Sequence, residues 1–334
     1  MNAGGFLTNL TSEHHRDAGI LTISIFTFIC TTPPEIAKLS QNPTYTTQVT
    51  RMPLLQNVIY DDCEFQVLDL TVVNPVGNKY FKLKRNLEAA EQQGFDQILT
   101  FGGAWSNHVH ALSQVGPELG FKTTAVIRGE RPDPLNPALT EAEQNGMRLH
   151  FVSREVYRHR DTPVYLNALQ HFFGAHYLLP EGGTNQAGID GAGEIVDLLA
   201  EQGVIYDDLV VPLGTGGTLA GIAAKLAIGK TVTGICVLKG AEGIFRSIKA
   251  MIPGVRNWMI DHDGHCGGYA RCPDDLKTFI LEFEAKTGIP LEPVYSGKMM
   301  YRLLDLLRFN EDYKDRRVVA IHTGGLQGRR GFDF

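Results

Sequence analysis

Four basic side chains, Lys79, Lys82, Lys84 and Arg85, fall together in the stretch NPVGNKYFKLKRN (residues 74–86), directly after a glycine-asparagine turn signal. The local composition suits a solvated helix face, a nucleic-acid patch or a single chemical lysine. Lys79 and Lys82 are three residues apart, a spacing that stacks both on one face of a helix. Desolvation or a neighbouring cation lowers a lysine's pKa, and the free amine then attacks carbonyl carbons. A second candidate is the loop GTGGT (214–218), where Thr215, Gly216, Gly217 and Thr218 join a strand to a helix. Successive backbone N–H groups and the helix dipole favour a phosphate there, and glycines let the backbone approach it. The bland alternative, weaker than the phosphate reading, is a tight strand-to-helix turn. A third junction, FGGAWSNHVHA (101–111), sets Ser106, Asn107 and His108 at a helix start, where free N–H groups grip a carboxylate or Asn107 serves as a plain N-cap. A phosphate loop, a polar helix start and an activated lysine are together the parts that bind pyridoxal phosphate.

The elements that must position these residues follow from the hydrophobic pattern. From about Asp96 onward, short β-branched runs alternate with helical stretches, which is the pattern of a parallel sheet covered on both faces. Strands are predicted at QILTFGG, KTTAVIRG, MRLHFVS, HYLLPEGG, DDLVVPL, TVTGICVLK and RRVVAIHTGG. Helices are predicted at SNHVHALSQVGPELG, LTEAEQNG, GAGEIVDLLAEQG, within GTGGTLAGIAAKLAIG, and at DDLKTFILEFEAKTG and GKMMYRLLDLLRFN. The phosphate loop lacks the lysine of a P-loop, and Leu219 occupies the last glycine position of the dinucleotide pattern. A nucleoside triphosphate and a dinucleotide are both disfavoured.

The chain has 334 residues, 43% hydrophobic and 20% charged, with a formal net charge of -6. That balance argues against a nucleic-acid partner, which needs a clustered basic excess. Five scattered cysteines, at 30, 63, 236, 266 and 272, make no disulfide framework and fit a reducing, cytoplasmic setting. The segment DHDGHCGGYARC (261–272) has none of the standard zinc spacings, so no metal is expected. ILTISIFTFIC (20–30) is about half the ~20 residues a spanning helix needs and lacks the flanks of a signal peptide, so no membrane partner is expected.

GNKYFKL, FGGAWSNH, EGGTNQAG, GTGGTLAG, GGYAR, PVYSGK and HTGG occur here in the order found in one family. Over about residues 65–326 the chain resembles the 1-aminocyclopropane-1-carboxylate deaminase and D-cysteine desulfhydrase family. The resemblance implies dependence on pyridoxal 5'-phosphate and an α/β, two-domain, parallel-sheet fold like that of the tryptophan synthase β subunit. It implies a large cofactor-binding domain of residues 46–80 and 183–334, a smaller inserted α/β domain of residues 81–182, an extension of residues 1–45 outside the family region, and a homodimer.

Carried over position by position, the resemblance makes Lys79 the Schiff-base lysine and proton carrier, Lys82 a phosphate contact and Asn107 the partner of the cofactor's 3-hydroxyl. Ser106 and His108 join Asn107 around the substrate carboxylate, Thr215 to Thr218 cradle the phosphate, and Tyr269 and Tyr295 line the substrate side. Thr323 faces the pyridine nitrogen. The deaminase branch carries a glutamate after the second tyrosine and a leucine before the final Gly-Gly, where this chain has Ser296 and Thr323. Small hydroxyls at both positions resemble the desulfhydrase branch. The expected reaction is β-elimination from D-cysteine or a similar small D-amino acid, giving pyruvate, ammonia and sulfide. The alternatives are deamination of 1-aminocyclopropane-1-carboxylate, or cofactor binding without turnover, because the family's basic-plus-acidic signature and longer loop before Lys79 are replaced by VLDLTVVNPV.

Overall fold

Ahead of the basic cluster, alternate residues of CEFQVLD turn inward, and this pattern makes one arm of a hairpin. β1 (Leu55–Tyr60) pairs antiparallel with β2 (Cys63–Asp69), Leu55 opposite Leu68 and Tyr60 opposite Cys63. The computed structural model describes residues 54–334, so the extension of residues 1–45 and its apolar run lie outside the described residues.

After the hairpin, α1 (Asn78–Gln92) carries the basic cluster away from the first sheet. A four-stranded parallel sheet follows, with spatial order β5-β4-β3-β6, built from β3 (Gln97–Gly103), β4 (Lys122–Arg128), β5 (Arg148–Val152) and β6 (Tyr177–Leu179). α1, α2 (Asn107–Glu118) and α3 (Pro137–Gln144) cover one face; α4 (Arg154–Tyr157) and α5 (Pro163–Phe173) cover the other. α6 (Gln186–Glu201) returns the chain to the first sheet. There β7 (Asp208–Leu213), α7 (Gly217–Lys225), β8 (Thr231–Cys236), α8 (Ile244–Met251), β9 (Trp258–Asp261), α9 (Asp274–Thr287), α10 (Ser296–Phe309) and β10 (Val318–His322) complete a six-stranded sheet in the order β1-β2-β10-β7-β8-β9. Among the described residues only the β1–β2 pairing is antiparallel.

β7 and β10 are buried at every residue, as expected of strands covered on both faces. α9 and α10 pack beneath the large sheet, and α6, α7 and α8 above it. α1 belongs to both halves of the molecule: Phe81 enters the core of the large sheet, while Leu83, Leu87 and Ala90 enter that of the small one. Its register therefore ties the two sheets together, with Lys82 at the seam.

Two close approaches fix this arrangement. Gly77 starts α1 at φ 60°, and a β carbon there would lie 2.2 Å from the carbonyl oxygen of Thr323. Only glycine accepts both conditions. On α6, a β carbon at Gly191 would lie 2.1 Å from the carbonyl oxygen of Phe81, so the helix backbones touch there. Some expected boundaries shift. HYLLPEGG is a strand only to Leu179, because Gly182 and Gly183 take positive φ and coil the chain into a 3-10 turn. The strand expected through Gly325 stops at His322, leaving Thr323, Gly324 and Gly325 as a loop.

Candidate active site

The two sheets leave between them a cleft of about 1010 Å³. Strand ends open onto it, where α/β folds place their ligands. Lys79 and Lys82 from α1, Ser106, Asn107 and His108 from α2, Thr215, Gly216 and Thr218 before and within α7, and Tyr269, Tyr295 and Thr323 all line it. Gly217 lies just behind the wall, where a β carbon would come within 2.7 Å of Lys82 Nζ.

Lys79 is linked through Asn78 to the GTGGT loop. Lys79 Nζ donates to Asn78 Oδ1 at 2.8 Å, and Asn78 Nδ2 donates to Thr218 Oγ1 at 2.9 Å. Burial pulls the Lys79 amine down to about 8, against the opposing pull of the Glu292 carboxylate. One turn on, Lys82 is 2% exposed and donates to Thr184 Oγ1 at 3.0 Å, which in turn meets Thr215 Oγ1 at 2.7 Å. Burial, and then the nearby Lys79, hold Lys82 well below the usual lysine range. Gly216 takes a left-handed φ of 89° to start α7. An amine, two threonine hydroxyls and a helix N-terminus thus converge on one point. Burial disfavours a charge on either amine, and a bound phosphate dianion would favour it.

Across the cleft, Ser106 caps α2 by accepting from Val109 N at 3.3 Å, leaving the first N–H groups of the helix to the cleft. Gln327 Nε2 donates to Asn107 Oδ1, so the Asn107 amide nitrogen is the group left to donate. His108 needs a correction to its expected use. Its Nε2 lies 2.8 Å from Thr100 Oγ1, and the Thr100 hydroxyl hydrogen is already given to Leu179 O at 2.8 Å. The ring must therefore donate from Nε2, leaving Nδ1 a buried acceptor with no partner in the protein. Burial, with Lys82 and Lys79 adding to it, holds this imidazole well below the usual histidine range and so neutral. A neutral ring offering a lone pair does not attract a carboxylate. What His108 can give one is its backbone N–H.

Tyr269 and Tyr295 meet edge to face, with ring centroids 6.1 Å apart, and Tyr295 lies against Gly214 of the phosphate loop. Burial pushes the Tyr295 phenol well above its ordinary value, and Tyr269 raises it further. Thr323 is 7% exposed, and its hydroxyl makes no hydrogen bond to another described residue. Ser296 is fully buried and outside the cleft, exchanging hydrogen bonds with Glu292 at the start of α10. It therefore bears on the substrate only through the backbone that carries Tyr295.

Glu292, which residue spacing does not single out, is fully buried and accepts from Val294, Tyr295 and Ser296 N–H at 2.8, 2.6 and 2.7 Å. Burial raises its carboxyl even so. Asn78 and Thr184 were also missed, although both lie inside the motifs GNKYFKL and EGGTNQAG. Among the described residues no cluster of histidine, cysteine and carboxylate side chains could hold a metal ion.

Residues 73–324 match the family described as "Pyridoxal-phosphate dependent enzyme". The chain belongs to this family. Members related to it include the "Bifunctional D-cysteine desulfhydrase/1-aminocyclopropane-1-carboxylate deaminase" of Arabidopsis thaliana, 29% identical over 78% of this chain and 71% of that protein. The "D-cysteine desulfhydrase" of Klebsiella pneumoniae is 27% identical over 77% of this chain and 84% of its own. A crystal structure of an "ACC deaminase homologue" superposes with a TM-score of 0.71 at 25% identity, covering 89% of this chain and 96% of that one. The fold is that of the tryptophan synthase β-like pyridoxal-phosphate enzymes, and the cofactor is pyridoxal 5'-phosphate. The site fits that group: a cradle of an amine, threonine hydroxyls and a helix N-terminus for the phosphate, a lysine amine lowered to about 8, an amide donor at Asn107 and an uncharged hydroxyl at Thr323.

Proposed function

We propose that the protein is a lyase that eliminates the β-substituent of D-cysteine or a similar small D-amino acid, releasing sulfide from D-cysteine, after which water hydrolyses the unsaturated product to pyruvate and ammonia. Bound pyridoxal phosphate supplies an electron sink that stabilises negative charge at the substrate's α carbon. The protein's own groups do the rest. Lys82, Gly217 and the hydroxyls of Thr215 and Thr218 would hold the phosphate end, and the Asn107 amide would donate to the ring hydroxyl. The N–H groups at the start of α2, with the Ser106 turn, receive the substrate carboxylate.

Lys79 is the proton carrier. At about 8 its amine is free in a useful fraction near neutral pH and can take the α proton as a general base. Asn78 keeps it aimed between strokes. Tyr295, held protonated by burial, is a proton donor for the departing sulfur. Thr323 would offer the ring nitrogen a neutral hydroxyl and no carboxylate.

The observation that carries this reading is the chain Lys79–Asn78–Thr218, which joins the chemical amine to the phosphate cradle. The desulfhydrase choice is supported by Thr323 and by the Klebsiella relative's activity. Deamination of 1-aminocyclopropane-1-carboxylate is the second reading, supported by the bifunctional Arabidopsis relative. An end-point assay separates them: pyruvate with sulfide from D-cysteine is expected, whereas 2-oxobutyrate from the cyclopropane substrate without pyruvate from D-cysteine reverses the order.

Within the same reading, the two sheets act as the cofactor-binding and inserted domains, with residues 46–80 and 183–334 in the first and 81–182 in the second. The working form is a homodimer, as the family resemblance implies, and the free thiols of Cys63, Cys236, Cys266 and Cys272 suit a reducing compartment such as the cytoplasm. No helix among the described residues is long and apolar enough to cross a membrane. Light scattering on the loaded protein tests the dimer: a monomer mass refutes it.

A further inference from the structure

The Asn107 carboxamide is held from behind by a segment that belongs to the other sheet. α2 packs on the small sheet, whereas Leu326–Gly331 follows β10 of the large one and winds into a 3-10 turn against the start of α2. Within that turn Gln327 Nε2 donates to Asn107 Oδ1. A β carbon on Gly325 would stand 2.2 Å from Asn107 Nδ2, and one on Gly328 would stand 3.7 Å from Asn107 Oδ1. The segment's backbone therefore closes in on the amide at its nitrogen end and at its oxygen end. The turn is itself tied down: Gly328 N donates to Gly325 O at 2.9 Å, Arg329 pairs with Glu284 at 2.7 Å, and Arg330 Nη2 donates to Glu141 Oε2 of α3 at 3.0 Å. Asn107 lines the cleft and Gln327 does not. Gln327 Oε1 is buried and has no hydrogen-bond partner among the described residues. An amide whose buried acceptor goes unmet while its donor is engaged is held there for the donor.

We propose that Gln327 is a positioning residue: by donating to Asn107 Oδ1 it turns the Asn107 amide nitrogen toward the cofactor's ring oxygen, and so favours that oxygen as an anion over its protonated form. The inference rests on the place given to Asn107 in the proposed function, and not on which substituent is eliminated. An amide nitrogen only donates, so it stabilises an oxyanion. An amide oxygen in the same place only accepts, so it requires the ring oxygen to carry a proton. In the loaded protein the two forms differ by one proton, which moves between the ring oxygen and the Lys79 nitrogen joined to the cofactor. The anion gives the yellow band and the protonated form a near-ultraviolet one. Glutamate at 327 reverses the polarity, because a carboxylate accepts and cannot donate. Asn107 would then turn Nδ2 to the carboxylate and Oδ1 to the ring.

Absorbance spectra of the cofactor-loaded protein at one fixed pH test this. In Gln327→Glu the ratio of near-ultraviolet to yellow absorbance should rise about tenfold, the size of a charge-assisted hydrogen bond lost. Gln327→Met keeps the length of the side chain, removes both polar ends, and carries the test where the added carboxylate prevents folding. It should raise the ratio about two- to fivefold. Asn107→Ala should raise it as well, and adding Gln327→Glu to Asn107→Ala should change it by no more than about twofold, because the two residues act as one unit. An unchanged ratio in either folded Gln327 variant, or a rise in Gln327→Glu that persists at full size in the Asn107→Ala background, overturns the positioning role. A ratio unmoved by Asn107→Ala overturns the placement of Asn107, and the inference with it. The lyase reading is judged separately, by pyruvate release from D-cysteine: the predicted spectral shifts without turnover remove the reaction alone, and turnover without the shifts removes the positioning role alone.

Discussion

At the scale of single residues, the site depends on a lysine amine held near neutrality by burial. Because the Lys79 pKa lies at about 8 rather than in the ordinary lysine range, the free amine is the minor form below that pH and the major form above it. The rate at which stripped protein recaptures pyridoxal phosphate should therefore rise with pH through about 8 and then level off; a rate flat across that range contradicts the assignment. Lys79→Ala should remove the yellow absorbance of the lysine-linked cofactor and cut turnover by at least about a thousandfold, as losing a nucleophile and general base together requires. Asn78→Ala leaves the lysine but frees it from Thr218, and should lower kcat more than it raises KM. The lysine pair was legible because spacing three on a helix is visible in sequence. Glu292 and Thr184 were not, because nothing in a lone acid or hydroxyl says which buried donors it will meet. The tautomer of His108 depends on where the Thr100 hydroxyl points, and only the folded chain decides that.

Among the elements, the loop carrying Tyr269 shows how a site is held from below. Cys266 and Ala270 take positive φ, and Lys298, fully buried on α10, donates to His265 O at 2.9 Å and Gly268 O at 2.6 Å. Lys298→Met strips both carbonyls of their partner, so it should lower stability by about 1–3 kcal/mol in a urea melt and weaken substrate affinity through Tyr269. Gly77→Ala meets both a left-handed φ and the Thr323 carbonyl. It should cost about 2 kcal/mol or more and loosen cofactor binding, because α1 then starts in the wrong place. The strands of the small sheet were legible from their β-branched runs. β9 was not, since four half-exposed residues at a sheet edge show neither a run nor an alternation. α5 went unread although Thr162 and Pro163 are an N-cap and first-turn pair, a signal that outweighs the aromatic character of the helix body. The start of α6 at Gln186 was likewise announced by the Asn185 cap, hidden inside a motif read for its glycines.

For the molecule as a whole, the cofactor site is where two sheets with separate cores meet, and α1 is the element shared between them. A ligand gripped from both sides stabilises the whole arrangement. Saturating cofactor, at about a hundred times its Kd, should add about 2.7 kcal/mol and raise the melting temperature by a few degrees, and stripping it should reverse the gain. The parallel α/β architecture and the motif order were open to sequence reading because both are written in local pattern. The packing of α6 against α1 through Gly191 was not, since a glycine in a helix reads as a weakness until its neighbour is known. The function proposed for this protein requires that pyridoxal phosphate be held by Lys79 in the cleft between the sheets. Borohydride reduction of the loaded protein, followed by peptide mass mapping, tests it directly. A pyridoxyl group on the peptide at Lys79 is the expected result; a group on Lys82 or another lysine, or none at all, contradicts it.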